Sequence, residues 1–236
     1  PEPLFIAPIS SPRGVTMSTA RAALIFLHGS GDCGDGVRSW LHQVSGGDFE
    51  RQLAAAGIKV IFPDAPSRPY SLIGGRHQTV WFDRTAMAYN APEDKAGMAE
   101  SVEQIDSLID KIVGSGVPLN RIGVAGLSMG ACVALHVGYG AGRYAGQLPM
   151  VSSFSTFLAE DSGLDAAAAA RFKPGGGAAA ATAPPLLMGH GIMDQMIKPL
   201  WAEDTRLRLL AAGVPAPEEL PVYPMGHELC SEEVQE

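Results

Sequence analysis

Residues Arg121 to Ala131 read R-I-G-V-A-G-L-S-M-G-A and place a serine between two glycines, as Gly126-Leu127-Ser128-Met129-Gly130. The run before it, Ile122-Gly123-Val124-Ala125, has the apolar character of a strand, and the run after it, Ala131 to Val137, favours a helix. A sharp strand-to-helix turn strains the serine backbone and holds its hydroxyl above a helix N-terminus, where free N–H groups favour negative charge. Small residues on either side let the chain turn that tightly. The chemistry this implies is nucleophilic attack by the Ser128 hydroxyl on an acyl carbon.

Such a serine needs a base to take its proton and a carboxylate to orient that base. In strand–turn–helix sites the chain order is Ser, then Asp or Glu, then His. Three histidines follow Ser128. His136 lies two turns into the helix that the serine begins, too far along it to fold back. His190 ends an apolar strand, Leu186-Leu187-Met188-Gly189-His190-Gly191. His227 sits in the loop Pro224-Met225-Gly226-His227-Glu228-Leu229 after a last short strand, where an imidazole can swing over the serine. His227 is therefore the expected base. Asp194, just past the His190 strand, is the expected orienting acid. Asp161 and Asp165 flank an alanine-rich stretch, and Asp204 belongs on a helix surface with Glu203 and Arg206.

Acyl transfer also needs N–H donors for the oxygen that becomes negative. The Met129 amide, next to the nucleophile, is one. The apolar run Ala22 to Leu27 leads into His28-Gly29-Ser30-Gly31-Asp32-Cys33-Gly34-Asp35-Gly36, whose glycines let an amide turn inward, and Ser30 is assigned the second donor. The same loop lacks the lysine motif of a phosphate loop and the spaced oxygens of a calcium loop, and a metal role for His28 is no stronger. No cofactor and no metal are expected.

The elements that must carry these residues alternate. After Ile58 to Phe62, apolar residues Met98, Val102, Ile105, Leu108, Ile109 and Ile112 recur at helical spacing before the Ser128 strand. Met150 to Phe154, Pro185 to Met188 and Leu220 to Tyr223 supply later strands, and a helix begins near Pro199. Strands alternating with helices predict an α/β fold, a mostly parallel central sheet with helices on both faces. The 236 residues and 46% hydrophobic content suit one domain over 1–236, with Asp161 to Ala183 read as an Ala/Gly-rich flexible loop or insertion. Pro63 to Pro92 reads as a long loop.

Net charge is −8 with no basic stretch, which disfavours nucleic acid and anionic membrane surfaces as partners. Leu4 to Ile9 is too short and too proline-rich for a signal peptide or membrane span, although a chain that begins with Pro1 leaves room for a processed leader. Cys33, Cys132 and Cys230 form an odd set without C-x-x-C, which fits free thiols in a reducing, cytoplasmic compartment.

Leu27-His28-Gly29-Ser30-Gly31-Asp32, Trp81-Phe82-Asp83, the Ser128 pentapeptide, His190-Gly191-Ile192-Met193-Asp194 and Gly226-His227-Glu228-Leu229 occur in that order. Together they resemble the acyl-protein thioesterase, lysophospholipase and carboxylesterase family of α/β-hydrolases, over about Ala22 to Leu229. Ser30, Arg38-Ser39-Trp40 and Met129 are most similar to its lysophospholipase-like 1 branch. The resemblance implies the Ser128, Asp194 and His227 triad, the Ser30 and Met129 amides as oxyanion hole, and Trp81 and Phe82 as residues that bind substrate or support the site. It implies an ester or thioester substrate, with an S-acylated protein and a short-chain ester both open and the branch favouring short acyl groups. The family usually continues into a closing helix, whereas this sequence stops at Glu236. The rival reading from another class is a binding protein that keeps the fold without catalysis.

Overall fold

The computed structural model describes residues 19–173 and 182–235. Six strands form one sheet in the order β2-β1-β5-β6-β7-β8, every neighbouring pair parallel. They are β1 (Ala22–Leu27), β2 (Ile58–Ile61), β5 (Ile122–Leu127), β6 (Val151–Phe154), β7 (Leu186–Gly191) and β8 (Val222–Tyr223). Ala23, Ile25 and Leu27 face one side of the sheet and Leu24 and Phe26 the other, the period of two that a strand buried on both faces requires.

Helices cover both faces. On the first lie α3 (Lys95–Gly114), α4 (Met129–Tyr139), α5 (Leu164–Phe172) and α6 (Pro199–Ala211), whose Ile105, Ile109, Val133, Leu164 and Leu209 join the larger core cluster. On the second, α1 (Gly34–Val44) and α2 (Phe49–Ala55) pack Val37, Leu41, Phe49 and Leu53 around Phe26, Val60 and Ala125. A short α7 (Ser231–Gln235) follows the last strand and adds Val234 to this second cluster. The expected α/β arrangement is present. Among the described residues, no helix is long and apolar enough to cross a membrane.

Three local readings change. The stretch from Pro63 to Pro92 holds an antiparallel hairpin, β3 (Ser67–Tyr70) with β4 (Arg76–Thr79), which clamps the loop after β1 through Gly31 N–H to the Thr79 carbonyl (2.8 Å). That loop is shorter than expected, because the Cys33 sulfur caps Gly36 N–H and α1 begins at Gly34. Within the Asp161 to Ala183 tract, Leu164–Phe172 is helix rather than flexible loop. Leu164, Ala168 and Phe172 recur every fourth residue and are buried, and alanine is the best helix former. Residues 174–181 of the tract lie outside the described residues.

The start of α5 is tied down by Glu93, whose carboxylate meets His136 Nε2 (3.1 Å) and accepts from Ser162 Oγ (2.6 Å) and Gly163 N–H (3.0 Å). Burial pushes this carboxyl up, but the His136 ring, Ser162 and Gly163 outweigh it and bring it down to about 2 from an ordinary 4.5. A carboxyl lowered on folding stabilises the fold above its unfolded pKa, and that stabilisation fades as pH falls through the window from 4.5 to about 2. Urea midpoints of wild type and Glu93→Gln should therefore lie furthest apart near neutrality and converge toward pH 2 to 3.

Candidate active site

The strand register gathers the site at the carboxyl ends of the strands. Leu27 of β1 pairs with Gly126 of β5, Leu127 with Phe154 of β6, and Gly191 of β7 with Tyr223 of β8. The loops that follow β1, β5, β7 and β8 carry Ser30, Ser128, Asp194 and His227 respectively.

Ser128 has φ 55° and ψ −119°, a left-handed region that costs a non-glycine residue about 1–3 kcal/mol and persists only where its surroundings enforce it. The enforcement is visible in the flanking glycines. A Cβ on Gly126 would lie 2.5 Å from the Gly130 carbonyl carbon, and one on Gly130 would lie 2.5 Å from the carbonyl oxygens of both Leu27 and His28. Ser128 N–H donates to the Phe154 carbonyl (2.8 Å), so the strained residue is also held from the neighbouring strand. The serine is 5% exposed, deep but reachable.

His227 Nε2 lies 2.9 Å from Ser128 Oγ, and Nδ1 lies 2.7 Å from Asp194 Oδ2. Asp194 Oδ1 accepts from the Met196 and Ile197 amides, both at 2.8 Å. An ionised carboxylate only accepts, so His227 carries its proton on Nδ1 and presents the Nε2 lone pair to the serine hydroxyl. The structure thus brings together the three residues expected from the sequence. It gives the rival aspartates other tasks: Asp161 accepts from Glu93 N–H, Asp165 pairs with Arg208, and Asp204 accepts from Tyr89 Oη. His136 packs against Glu93, as an interior helix residue would.

The acid and base loops touch because Gly191 has no side chain: a Cβ there would run into the Gly226 carbonyl oxygen. The Met193 N–H to Met225 carbonyl bond (3.0 Å) ties the same two loops. Gly191→Ala should therefore displace His227, cost about 1–3 kcal/mol of stability and lower kcat on the order of a hundredfold. Parallel kcat and melting measurements check both.

Beneath Asp194, His190 is wholly buried and donates Nε2–H to the Ile197 carbonyl (2.9 Å), with Asp194 Oδ2 3.5 Å away. Burial pushes this imidazole down against the opposing pull of Ile197 and Asp194, which favours the neutral ring. Its bracing contact was not read from the sequence, where it stood as a rival base and as part of the motif leading to Asp194.

Gly29 sits directly over the nucleophile, with a Cβ position 3.5 Å from Ser128 Cβ. The neighbouring Ser30 amide has no acceptor among the described residues, and the Met129 amide, first in α4, has none within the helix. Both amides are therefore open to serve as the oxyanion donors expected from the sequence.

For Trp81 and Phe82, expected either to bind substrate or to support the site, the buried positions favour support. Trp81 is 0% exposed and donates Nε1–H to the His28 carbonyl (2.9 Å), while Ser101 Oγ donates to its own carbonyl. Phe82 is buried under the Arg84 guanidinium, 5.3 Å from its ring centre. Neither presents a face to an entering substrate. Trp81 braces the loop after β1, and Phe82 packs in the core. Among the described residues no group of three His, Cys, Asp or Glu side chains is placed to hold a metal ion.

Comparison with known proteins identifies the family and the shared fold. Mouse lysophospholipase-like protein 1 is 34% identical over 207 residues, covering 86% of this chain and 80% of that protein. Acyl-protein thioesterase 1 homolog 2 of Dictyostelium discoideum is 28% identical, over 89% and 86% of the two chains. Among solved structures, acyl-protein thioesterase 2 of Zea mays has a TM-score of 0.68 at 28% identity, covering 95% of this chain and 92% of that one. Arabidopsis thaliana SOBER1, with a TM-score of 0.73 at 23% identity over 92% and 95%, shows the shared fold. The model of the family described as phospholipase/carboxylesterase matches residues 15–236, nearly the whole chain, and this chain belongs to that family.

Proposed function

We propose that this protein is a serine hydrolase that cleaves carboxylic esters or thioesters through an acyl-enzyme. The observation that carries the reading is the unbroken chain Ser128 Oγ, His227 Nε2, His227 Nδ1, Asp194 Oδ2, at 2.9 and 2.7 Å across its two hydrogen bonds. Ser128 Oγ attacks the carbonyl carbon as its proton passes to His227 Nε2. The carbonyl oxygen becomes an oxyanion and takes hydrogen bonds from the Ser30 and Met129 amides. His227 then gives its proton to the departing alcohol or thiol, and the acyl group stays on Ser128. Water, deprotonated by His227, repeats the addition and releases the acid. Asp194 stays ionised and holds the imidazole tautomer throughout.

The substrate class is suggested by the relatives, one named an acyl-protein thioesterase homolog and another lysophospholipase-like. An S-acylated protein or a small ester fits the same chemistry, and the kinship with the lysophospholipase-like protein favours the shorter acyl groups. The free cysteines Cys33, Cys132 and Cys230 support a cytoplasmic setting.

A p-nitrophenyl ester series from C2 to C16, run beside an S-palmitoylated peptide, tests the assignment. A kcat/KM maximum at C2 to C4 with slow release of palmitate supports the short-chain reading. A maximum at C12 to C16 with rapid release overturns it in favour of a long-chain thioesterase. No turnover of any member removes the enzyme reading and leaves a binding protein with the same fold.

A further inference from the structure

His28 is wholly buried, and the reaction above gives it no step. Its ring nitrogens nevertheless have fixed and different partners. Nε2 lies 3.0 Å from the Ala65 backbone nitrogen, and Nδ1 lies 2.7 Å from the carbonyl oxygen of Gly29. A backbone N–H can only donate, so Nε2 offers a lone pair and the ring proton sits on Nδ1. Nδ1–H therefore donates to the Gly29 carbonyl.

That carbonyl shares one planar trans peptide with the Ser30 N–H, so the two groups point in opposite directions. Drawing the Gly29 oxygen onto a ring buried in the core turns the Ser30 hydrogen away from the core. The rest of the loop is pinned around this peptide. Trp81 Nε1–H holds the His28 carbonyl, Thr79 Oγ1–H holds the Asp32 carbonyl (2.6 Å), and the Gly31 amide is taken by the Thr79 carbonyl. Among the described residues Ser30 N–H is left without an acceptor, beside the Gly29 Cα that overlies Ser128.

We propose that His28 is a positioning residue whose Nδ1–H bond to the Gly29 carbonyl aims the Ser30 amide at the oxyanion, with Ala65 N–H locking the tautomer that makes this possible. The proposal rests on the reading of Ser30 as an oxyanion donor. Its signature is a loss in the transition state with little loss in substrate binding, because the ring itself never meets the substrate.

Two amide substitutions separate the two nitrogens. His28→Asn places an N–H donor where Nδ1 stood, within reach of the Gly29 carbonyl, but cannot reach Ala65. His28→Gln places its amide at the Nε2 position, where it serves Ala65 and leaves the Gly29 carbonyl only its longer bond from Asp32 N–H (3.4 Å). Removing an oxyanion donor costs about 10²–10³ in kcat, and a misaimed donor should cost about 10–100-fold. His28→Gln is expected to lose that much in kcat on p-nitrophenyl acetate, with KM within about twofold. It should also bind a trifluoromethyl ketone, whose adduct carries the oxyanion, more weakly by a similar factor. His28→Asn should keep kcat and ketone affinity within about fivefold of wild type, since its donor still reaches the Gly29 carbonyl. Melting temperatures of both variants are recorded so that unfolding is not mistaken for the effect.

Equal losses in the two variants, a loss confined to KM, or an unweakened ketone would overturn the role of His28 while leaving the hydrolase reading intact. A wild-type protein that neither turns over the ester nor binds the ketone would overturn both.

Discussion

Ser128→Ala should lower kcat on p-nitrophenyl acetate by on the order of 10⁶, with KM little changed. The other groups around the serine survive this substitution, so binding persists while the covalent step disappears. The strain at φ 55° adds a second expectation. Alanine keeps the strained backbone, whereas glycine tolerates it at some entropic cost. Ser128→Gly should be as inactive as Ser128→Ala yet more stable than it by about 1 kcal/mol. Urea titration of the two variants checks this. Equal stability would mean that the elbow is not strained in solution.

Asp194→Asn should reduce kcat by about 10⁴ without unfolding the protein. The reason is the division of labour between the two carboxylate oxygens. Oδ1 accepts from the Met196 and Ile197 amides and Oδ2 accepts from His227 Nδ1–H. An asparagine must point its single oxygen at the two amides, which turns its NH₂ toward His227. Nδ1 must then accept, the ring proton moves to Nε2, and the lone pair that should receive the Ser128 proton is gone. Steady-state kcat on a short ester measures the loss. A drop of tenfold or less would show that the tautomer is set by something other than Asp194.

The triad was legible because each member lies just past an apolar strand, and a parallel sheet must bring such ends together. Ser128 carried the strongest signal, since two glycines, a strand and a helix converge on it. The bonds that support the site were not legible, because their partners are remote in sequence. His28 meets Ala65, and Trp81 meets His28, across 37 and 53 residues. The β3–β4 hairpin was hidden by its composition: Ser-Arg-Pro-Tyr against Arg-His-Gln-Thr has no apolar alternation to mark a strand. It forms because its clamp on the Gly31 to Asp32 segment and its seat on the core outweigh weak local preference. Helix α5 was masked by low complexity, although Leu164, Ala168 and Phe172 carried the four-residue spacing. Trp81 stayed open between two roles for a simpler reason, as an aromatic beside a site can prop it from beneath as readily as line it.

The account stands on an activated nucleophile at one serine. Intact-mass analysis after treatment with a fluorophosphonate, followed by peptide mapping, tests this most directly. The expected result is one adduct per chain on Ser128 in the wild type, and none in Ser128→Ala. An unlabelled wild type, or an adduct that persists in Ser128→Ala, would contradict it.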